Sequence, residues 1–320
     1  MLEEKVVKIK VFTHTDLDGV SSFFEICEKY KRMGYTLDDI NVTFVNHKEI
    51  DKKIINFLNE ADLSVLEKLY ITDITFQDIE VGHILEEKLG SNRLELVDHH
   101  NTAKHLMDTF DWCYIADKHS DGRLSCATSL LAERFGLLDD KLNAEYVELV
   151  RLYDTWDWEK EGKVEAKDLN DFMYLIGRKD FVYRYRTGGI RVSFSAREKY
   201  CLELEKTRVQ KYVEGVAKTL VKTNFLDYRI GYVFNEQYGS SLGNYIVSHE
   251  DNNDIDFVVM INMCAKRVSF VTKRDDIDLG TQVASLFGGG GHPKASGCSF
   301  SLDFDKGEYF DLLKKSIFNI

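Results

Sequence analysis

Short apolar, β-branched runs alternate with longer stretches of helical period through the first half of the chain. The runs fall at 6–13, 41–46 (NVTFVN), 67–72 (EKLYIT) and 93–97 (RLELV). Between them the apolar spacing predicts helices at about 20–33, 48–60 and 78–89. Strand–helix alternation of this kind predicts a parallel sheet with helices on both faces. Helical period then dominates 124–176 and returns over 194–222, a charged stretch that reads as a connecting helix. Beyond it RIGYVFN (229–235), DFVVMIN (256–262) and RVSFVTK (267–273) read as strands, and 240–249, 279–287 and 307–317 as helices. The expected fold class is α/β. A parallel-sheet domain occupies 1–185, a connecting helix 186–222, and a smaller mixed α/β domain 223–320. A length of 320 residues agrees with two cores rather than one.

Composition narrows the function classes. Apolar residues make up 44% and charged residues 30%, as in an ordinary globular chain. No run reaches the length of a membrane span, and MLEEKVVKIK is not a signal peptide. The six cysteines form no CxxC and read as reduced thiols. The expectation is a cytoplasmic protein with no membrane partner. A net charge of −12 argues against binding long nucleic acid, which needs a broad basic face. It leaves room for a small anionic ligand held through metal ions, and for a homodimer. The most basic stretch, 177–191, reads either as a solvated face or as a local funnel for a short oligonucleotide.

Chemistry gathers where the predicted strands end. The first ends in His14-Thr15-Asp16-Leu17-Asp18, the third in Thr72-Asp73 and the fourth in Asp98-His99-His100. Parallel sheets bind ligands at that edge. Asp154, in RLYDTWDW, follows a helix and can reach the same edge. At extended spacing residues 14, 16 and 18 share one side, so one stretch can serve two cations. Gly19 is expected to allow a sharp turn into a helix. Carboxylates with two imidazoles suit Mn²⁺, with Fe²⁺, Co²⁺ or Mg²⁺ as alternatives, and two such ions make a phosphoryl-transfer centre. Alone, Asp73 would read as a turn residue. Asp157 reads as a surface or capping residue. Trp156 and Trp158 serve either core packing or base stacking. His47, His83, His105, His119 and His249 read as structural or surface residues.

Taken in order, HTDLDG (14–19), the Asp73 strand end, VDHHN (97–101), YDTW (153–156) and FGGGGHPKASG (287–297) resemble the motifs of the DHH phosphoesterase superfamily and its associated C-terminal domain. The resemblance implies roles. His14 and Asp16 hold one metal; Asp18, His99 and Asp154 hold the other; Asp73 bridges them. Asp98 and His100 form a catalytic pair that orients the ligands or touches phosphate. Gly289, Gly290, Gly291 and His292 receive a substrate phosphate or sugar across a cleft between the domains. The family's Ser-x-Arg reads Ser269-Phe270-Val271 here, so Arg267, Lys273 or Arg274 stands in for the phosphate-binding arginine. Among relatives the architecture is most similar to enzymes that degrade very short RNA. RecJ-type enzymes usually add an oligonucleotide-binding barrel for which this chain has no room. The family's pyrophosphatases carry a different C-terminal domain. The implied activity is a phosphodiesterase with two Mn²⁺ ions, Mg²⁺ or Co²⁺ as substitutes, and short RNA as substrate. One rival is an enzyme acting on 3′-phosphoadenosine 5′-phosphate or on cyclic or linear dinucleotides. The other is a nucleotide-binding regulator on an inactive fold, against which the intact ligand set argues.

Overall fold

Strand β1 (Ile9–Thr13) is buried at every position and sits between two neighbours, which decides how the rest of the sheet is arranged. In the computed structural model, which describes residues 7–301, the chain divides into two units between Leu202 and Glu203. The first unit alternates: α1 (Leu17–Arg32), β2 (Ile40–Phe44), α2 (Ile50–Glu60), β3 (Lys68–Thr72), α3 (Ile79–Leu89), β4 (Leu94–Asp98) and β5 (Cys113–Ile115). All pairings are parallel, in the order β2-β1-β3-β4-β5. Helices follow: α4 (Ala127–Arg134), α5 (Lys141–Asp154), α6 (Asp157–Glu161), α7 (Val164–Ile176), α8 (Arg178–Gly188) and α9 (Ala196–Ala217).

Pleating sorts the strand residues between two cores. Ile9, Val11, Tyr70 and Val97 pack against α1, α4, α5, α7 and α8. Phe12, Leu69, Ile71 and Leu96 pack against α2 and α3 on the other face. Buried on both faces, the strands read as continuous apolar runs, as parallel strands do.

The second unit begins within α9 and continues through β6 (Val221–Phe225), β7 (Tyr228–Phe234), α10 (Gly239–Ser248), β8 (Phe257–Asn262), β9 (Arg267–Val271), α11 (Leu279–Gln282), β10 (Gly290–Gly291) and β11 (Ala295–Ser299). Its mixed sheet runs β10-β11-β9-β8-β7-β6, with β7 and β8 parallel and the other pairs antiparallel. The α/β class with a parallel sheet and a second, mixed sheet is therefore as predicted.

Several boundaries differ from the sequence reading. The helix expected to run to 222 stops at Ala217, and Val221 starts β6. The helix expected over 279–287 is a short α11 followed by a 3₁₀ turn at Ala284–Phe287. Strands β5, β10 and β11 had no sequence signal, being short or glycine-rich. The helix expected at 307–317 lies outside the described residues.

Candidate metal centre

Strand order reverses at β1, and a reversal of this kind opens a crevice at the carboxyl edge of the sheet. His14, Thr15 and Asp16 leave β1 at that point. Asp16 caps α1, its Oδ1 accepting from the Gly19 N–H at 3.1 Å. Helix begins at Leu17, so the extended alternation expected through Asp18 ends at Asp16, and Asp18 stands in the first helical turn. Gly19 is needed for close approach rather than for a turn. A Cβ there would lie 2.5 Å from the His14 carbonyl oxygen.

Asp18 is buried and reaches across to another helix. Its Oδ2 and Oδ1 accept the Ala127 and Thr128 backbone N–H groups, each at 2.8 Å, and Thr128 Oγ1 donates to the Asp18 carbonyl at 2.9 Å. A carboxylate at the first turn of α4 is favourable because that end of a helix is electropositive. Behind it Ser129 Oγ accepts from Cys126 N at 3.0 Å and lies 2.9 Å from His119 Nε2. His119 Nδ1 meets Glu133 Oε2 at 2.8 Å. Ser, His and Glu stand here in hydrolytic-triad order, but Ser129 is buried and its hydroxyl is engaged with the Cys126 backbone. The array braces α4 and, through it, Asp18.

Asp73 follows β3 with φ of +57°, a left-handed conformation in which Asp is tolerated better than most residues. Its N–H donates to Val97 O at 3.1 Å, which fixes the carboxyl at the sheet edge. Positive φ outside glycine often marks a site where geometry is imposed for function. Asp154 arrives from the last residue of α5.

The side chains converge. His14 Nδ1 lies 2.6 Å from Asp16 Oδ2 and 3.7 Å from Asp73 Oδ2. His99 Nε2 lies 3.4 Å from Asp73 Oδ1, 3.4 Å from Asp154 Oδ2 and 3.9 Å from Asp18 Oδ2. Among the described residues three sets of ligand atoms each fit within 4.8 Å: His14-Asp16-Asp73, Asp18-His99-Asp154 and Asp73-Asp98-His99-His100. Asp73 belongs to two of them. Asp73 Oδ2, His99 Nε2 and Asp154 Oδ2 are buried without a hydrogen-bond partner. Three such atoms in one cluster are costly to bury unless a cation satisfies them. The donor set, oxygens with imidazole nitrogens, fits a divalent ion of the first transition row.

The electrostatics agree. Burial, then the charges of Asp16 and Asp18, push the Asp73 carboxyl well above the carboxylate range. Burial likewise lifts Asp154 to about 7, with Asp18 and Asp16 adding to it and His99 opposing. Burial disfavours a charged His14, but Asp16 and Asp73 outweigh it and raise the imidazole to about 10. Burial alone would lift Asp16; its bond to His14 instead holds it below the usual range. Positive charge inside the cluster relieves the carboxylates that share it.

Asp98 is buried beside these residues. Its Oδ1 accepts from the His99 backbone N–H and from His100 Nδ1, each at 2.8 Å, which fixes the backbone at His99 and orients the His100 imidazole. His47, read from sequence as structural or surface, places its ring 5.5 Å from that of His14. The signal available was its position just beyond β2, at the same sheet edge. Asp157 does not join the cluster: its Oδ2 accepts from the buried Arg151 at 3.1 Å. Trp158 packs against the first core, and Trp156 lies between Tyr153 and Trp158.

In the second unit the glycine run ends in a two-residue strand, β10. Gly290 and Gly291 pair with Gly297 and Ser296, and a Cβ on Gly289 would lie 2.1 Å from Gly297 O. His292 is exposed in the hairpin turn, its N–H donating to Ala295 O at 2.9 Å. Lys273 and Arg274 follow β9 at that same turn, where Thr272 N donates to Lys294 O, whereas Arg267 pairs with Ser299 at the opposite end of the strand. The Arg274 guanidinium is already paired with Asp276 and Asp256.

No family model matches the chain. It is similar to oligoribonuclease NrnB of Bacillus subtilis (strain 168), at 32% identity over 303 residues, covering 91% of this chain and 72% of that protein. Among solved structures it is similar to the DHH domain of a protein assigned to a ribosomal-protein family. The TM-score is 0.62 at 16% identity, over 98% of this chain and 87% of that one. It is also similar to RecJ from Thermus thermophilus in complex with Mn²⁺. Here the TM-score is 0.52 at 13% identity, over 96% of this chain and 51% of that one. The two structures share its α/β fold.

Proposed function

The chain belongs to the DHH superfamily of phosphoesterases, in its oligoribonuclease-like branch, and on that premise we propose that it hydrolyses short RNA oligonucleotides to mononucleotides in the cytoplasm. The observation that carries the reading is the convergence of Asp73 Oδ2, His99 Nε2 and Asp154 Oδ2, buried and without hydrogen-bond partners, at the switch point of the sheet. His14 and Asp16 would hold one Mn²⁺, Asp18, His99 and Asp154 a second, and Asp73 both; Mg²⁺ or Co²⁺ would substitute. Divalent ions bound there supply positive charge for phosphate oxygens and a lowered pKa for water.

The chain's own residues do the rest. Asp98 holds His100 Nδ1 and so fixes the ring, and His100 is the residue assigned proton exchange with a phosphoester oxygen. Ala127 and Thr128 keep the Asp18 carboxylate from rotating. Gly289, Gly290, Gly291 and His292 are the proposed receivers of a neighbouring phosphate or sugar, with Lys273 as the accompanying cation. An exterior with net charge −12 gives long polyanions little to bind, so the benefit of added nucleotides ends early.

Hydrolysis of a ladder of 5′-labelled RNA and DNA oligomers, two to thirty nucleotides long, with Mn²⁺ and with Mg²⁺, tests the reading. The expected kcat/KM is highest for RNA of about two to five nucleotides and falls steeply with length. A thirty-mer digested as fast as a trimer would refute it, as would a preference for 3′-phosphoadenosine 5′-phosphate over every oligomer.

A further inference from the structure

The basic stretch 177–191 resolves into residues with different fates. Arg184 pairs with Glu198 at 3.1 Å and Arg186 with Asp38 at 3.2 Å, so both charges are neutralised within the fold. Arg178 is different. Gly177, with φ of +81°, ends α7 and lets α8 begin at once, so Arg178 falls at the first position of the new helix. Its guanidinium lies over the ring of Phe44, 4.8 Å from the centroid, and Phe44 is the last residue of β2. The stacking anchors Arg178 at the sheet edge that carries the cluster. Its Nη1 lies 3.5 Å from the carbonyl oxygen of Thr15, between His14 and Asp16. No carboxylate pairs with it among the described residues, and its remaining N–H donors have no protein partner there. It is half-buried, so those donors remain open to a ligand arriving from solvent.

We infer that Arg178 binds substrate: its guanidinium takes the phosphate next to the one being cut. This deepens the proposed function and rests on it. A planar fork of donors, fixed on an aromatic ring and aimed past a backbone carbonyl, matches two oxygens of one phosphate. The acidic cluster beside it repels an anion unless cations compensate, and Arg178 supplies one that no carboxylate has claimed. A phosphate there also explains why the arginine is held by Phe44 and Thr15 and not by an aspartate. The contact adds nothing for a substrate with a single phosphodiester and no other phosphate.

The test compares ApA with pApA and ApAp, which share one phosphodiester and differ by one flanking phosphate. Wild type is expected to favour one of the two phosphorylated dimers over ApA by about 10- to 100-fold in kcat/KM. Arg178→Ala erases that preference and leaves ApA hydrolysis within about twofold, and Arg178→Lys recovers part of it. Calorimetric binding of the preferred dimer to metal-free protein shows the same loss, and circular dichroism confirms that the variants fold. Equal losses on all three dimers would assign Arg178 a structural role and overturn the inference. So would a wild type that cuts all three alike, or a preference that survives in Arg178→Ala. A wild type that cuts none of the three but hydrolyses bis(p-nitrophenyl) phosphate overturns the RNA reading itself, and this inference with it.

Discussion

Replacing Glu25 by Gln should make the first unit more stable at alkaline pH and flatten its response to pH. Glu25 lies on α1, fully buried, in the helix that Asp16 caps at the cluster. Its Oε2 accepts from Asn143 Nδ2 at 2.8 Å, while Oε1 is buried with no hydrogen-bond partner. Burial pushes the carboxyl up to about 8 from its ordinary 4.5, against the smaller opposing effect of Asn143. The folded chain thus keeps a proton that the unfolded chain releases once pH passes 4.5. Stability from this group is intact below that value, falls as pH rises to about 8, and is level above it. At about 1.4 kcal/mol per tenfold change in protonation, the interval caps the loss near ~5 kcal/mol, and local relaxation brings it to about 2–5 kcal/mol. That is a large share of a typical domain's stability. Gln imitates the protonated acid at every pH. Urea melts of wild type and Glu25→Gln, at pH 5 and pH 8.5, measure the effect. The variant's advantage over wild type should grow by at least about 2 kcal/mol between the two. An advantage that is the same at both pH values would refute the argument.

Asp73→Asn should abolish hydrolysis and lower the bound manganese measured by elemental analysis, with an unchanged circular dichroism spectrum; near-normal turnover would remove Asp73 from the centre. Gly19→Ala forces a Cβ against the His14 backbone, so activity should fall by about 100-fold or more, with a stability cost of about 1–3 kcal/mol by thermal melting. His292→Ala should raise KM or lower kcat on oligonucleotides while metal content stays unchanged, and a fall in metal content would show that its assignment to the substrate is wrong.

Much of the cluster was legible because its residues are local to strand ends. HTDLD and DHH each pack several ligand types into one short stretch, and a buried strand followed by acids and histidines has few structural explanations. Asp154 was found through its motif, since α5 brings it to the edge from the far side of the unit. What stayed hidden depends on contacts between distant segments. The first turn of α4 grips Asp18 across more than a hundred residues of sequence, and nothing in Ala127-Thr128 announces it. His47 approaches His14 only because β2 and β1 are neighbours. Arg178 looks like one charge in a basic run until Arg184 and Arg186 prove to be paired with carboxylates and Arg178 with none among the described residues. Strand β10 is likewise not announced by the glycine run, since Gly290 and Gly291 become a strand only by pairing with Gly297 and Ser296 of a later segment.

The cluster draws on residues from His14 to Asp154, and this separation has a consequence for the protein's synthesis. A ribosome has to deliver all of α5 before the last ligand exists. At common elongation rates that interval is on the order of ten seconds. Throughout it the emerging segment carries strand ends and an α1 cap but no complete grip for two ions. A chain broken off before Asp154 is in the same state for good. If the finished protein hydrolyses RNA, that chemistry is withheld until most of the first unit has emerged, because the cluster is among the last parts of that unit to be completed.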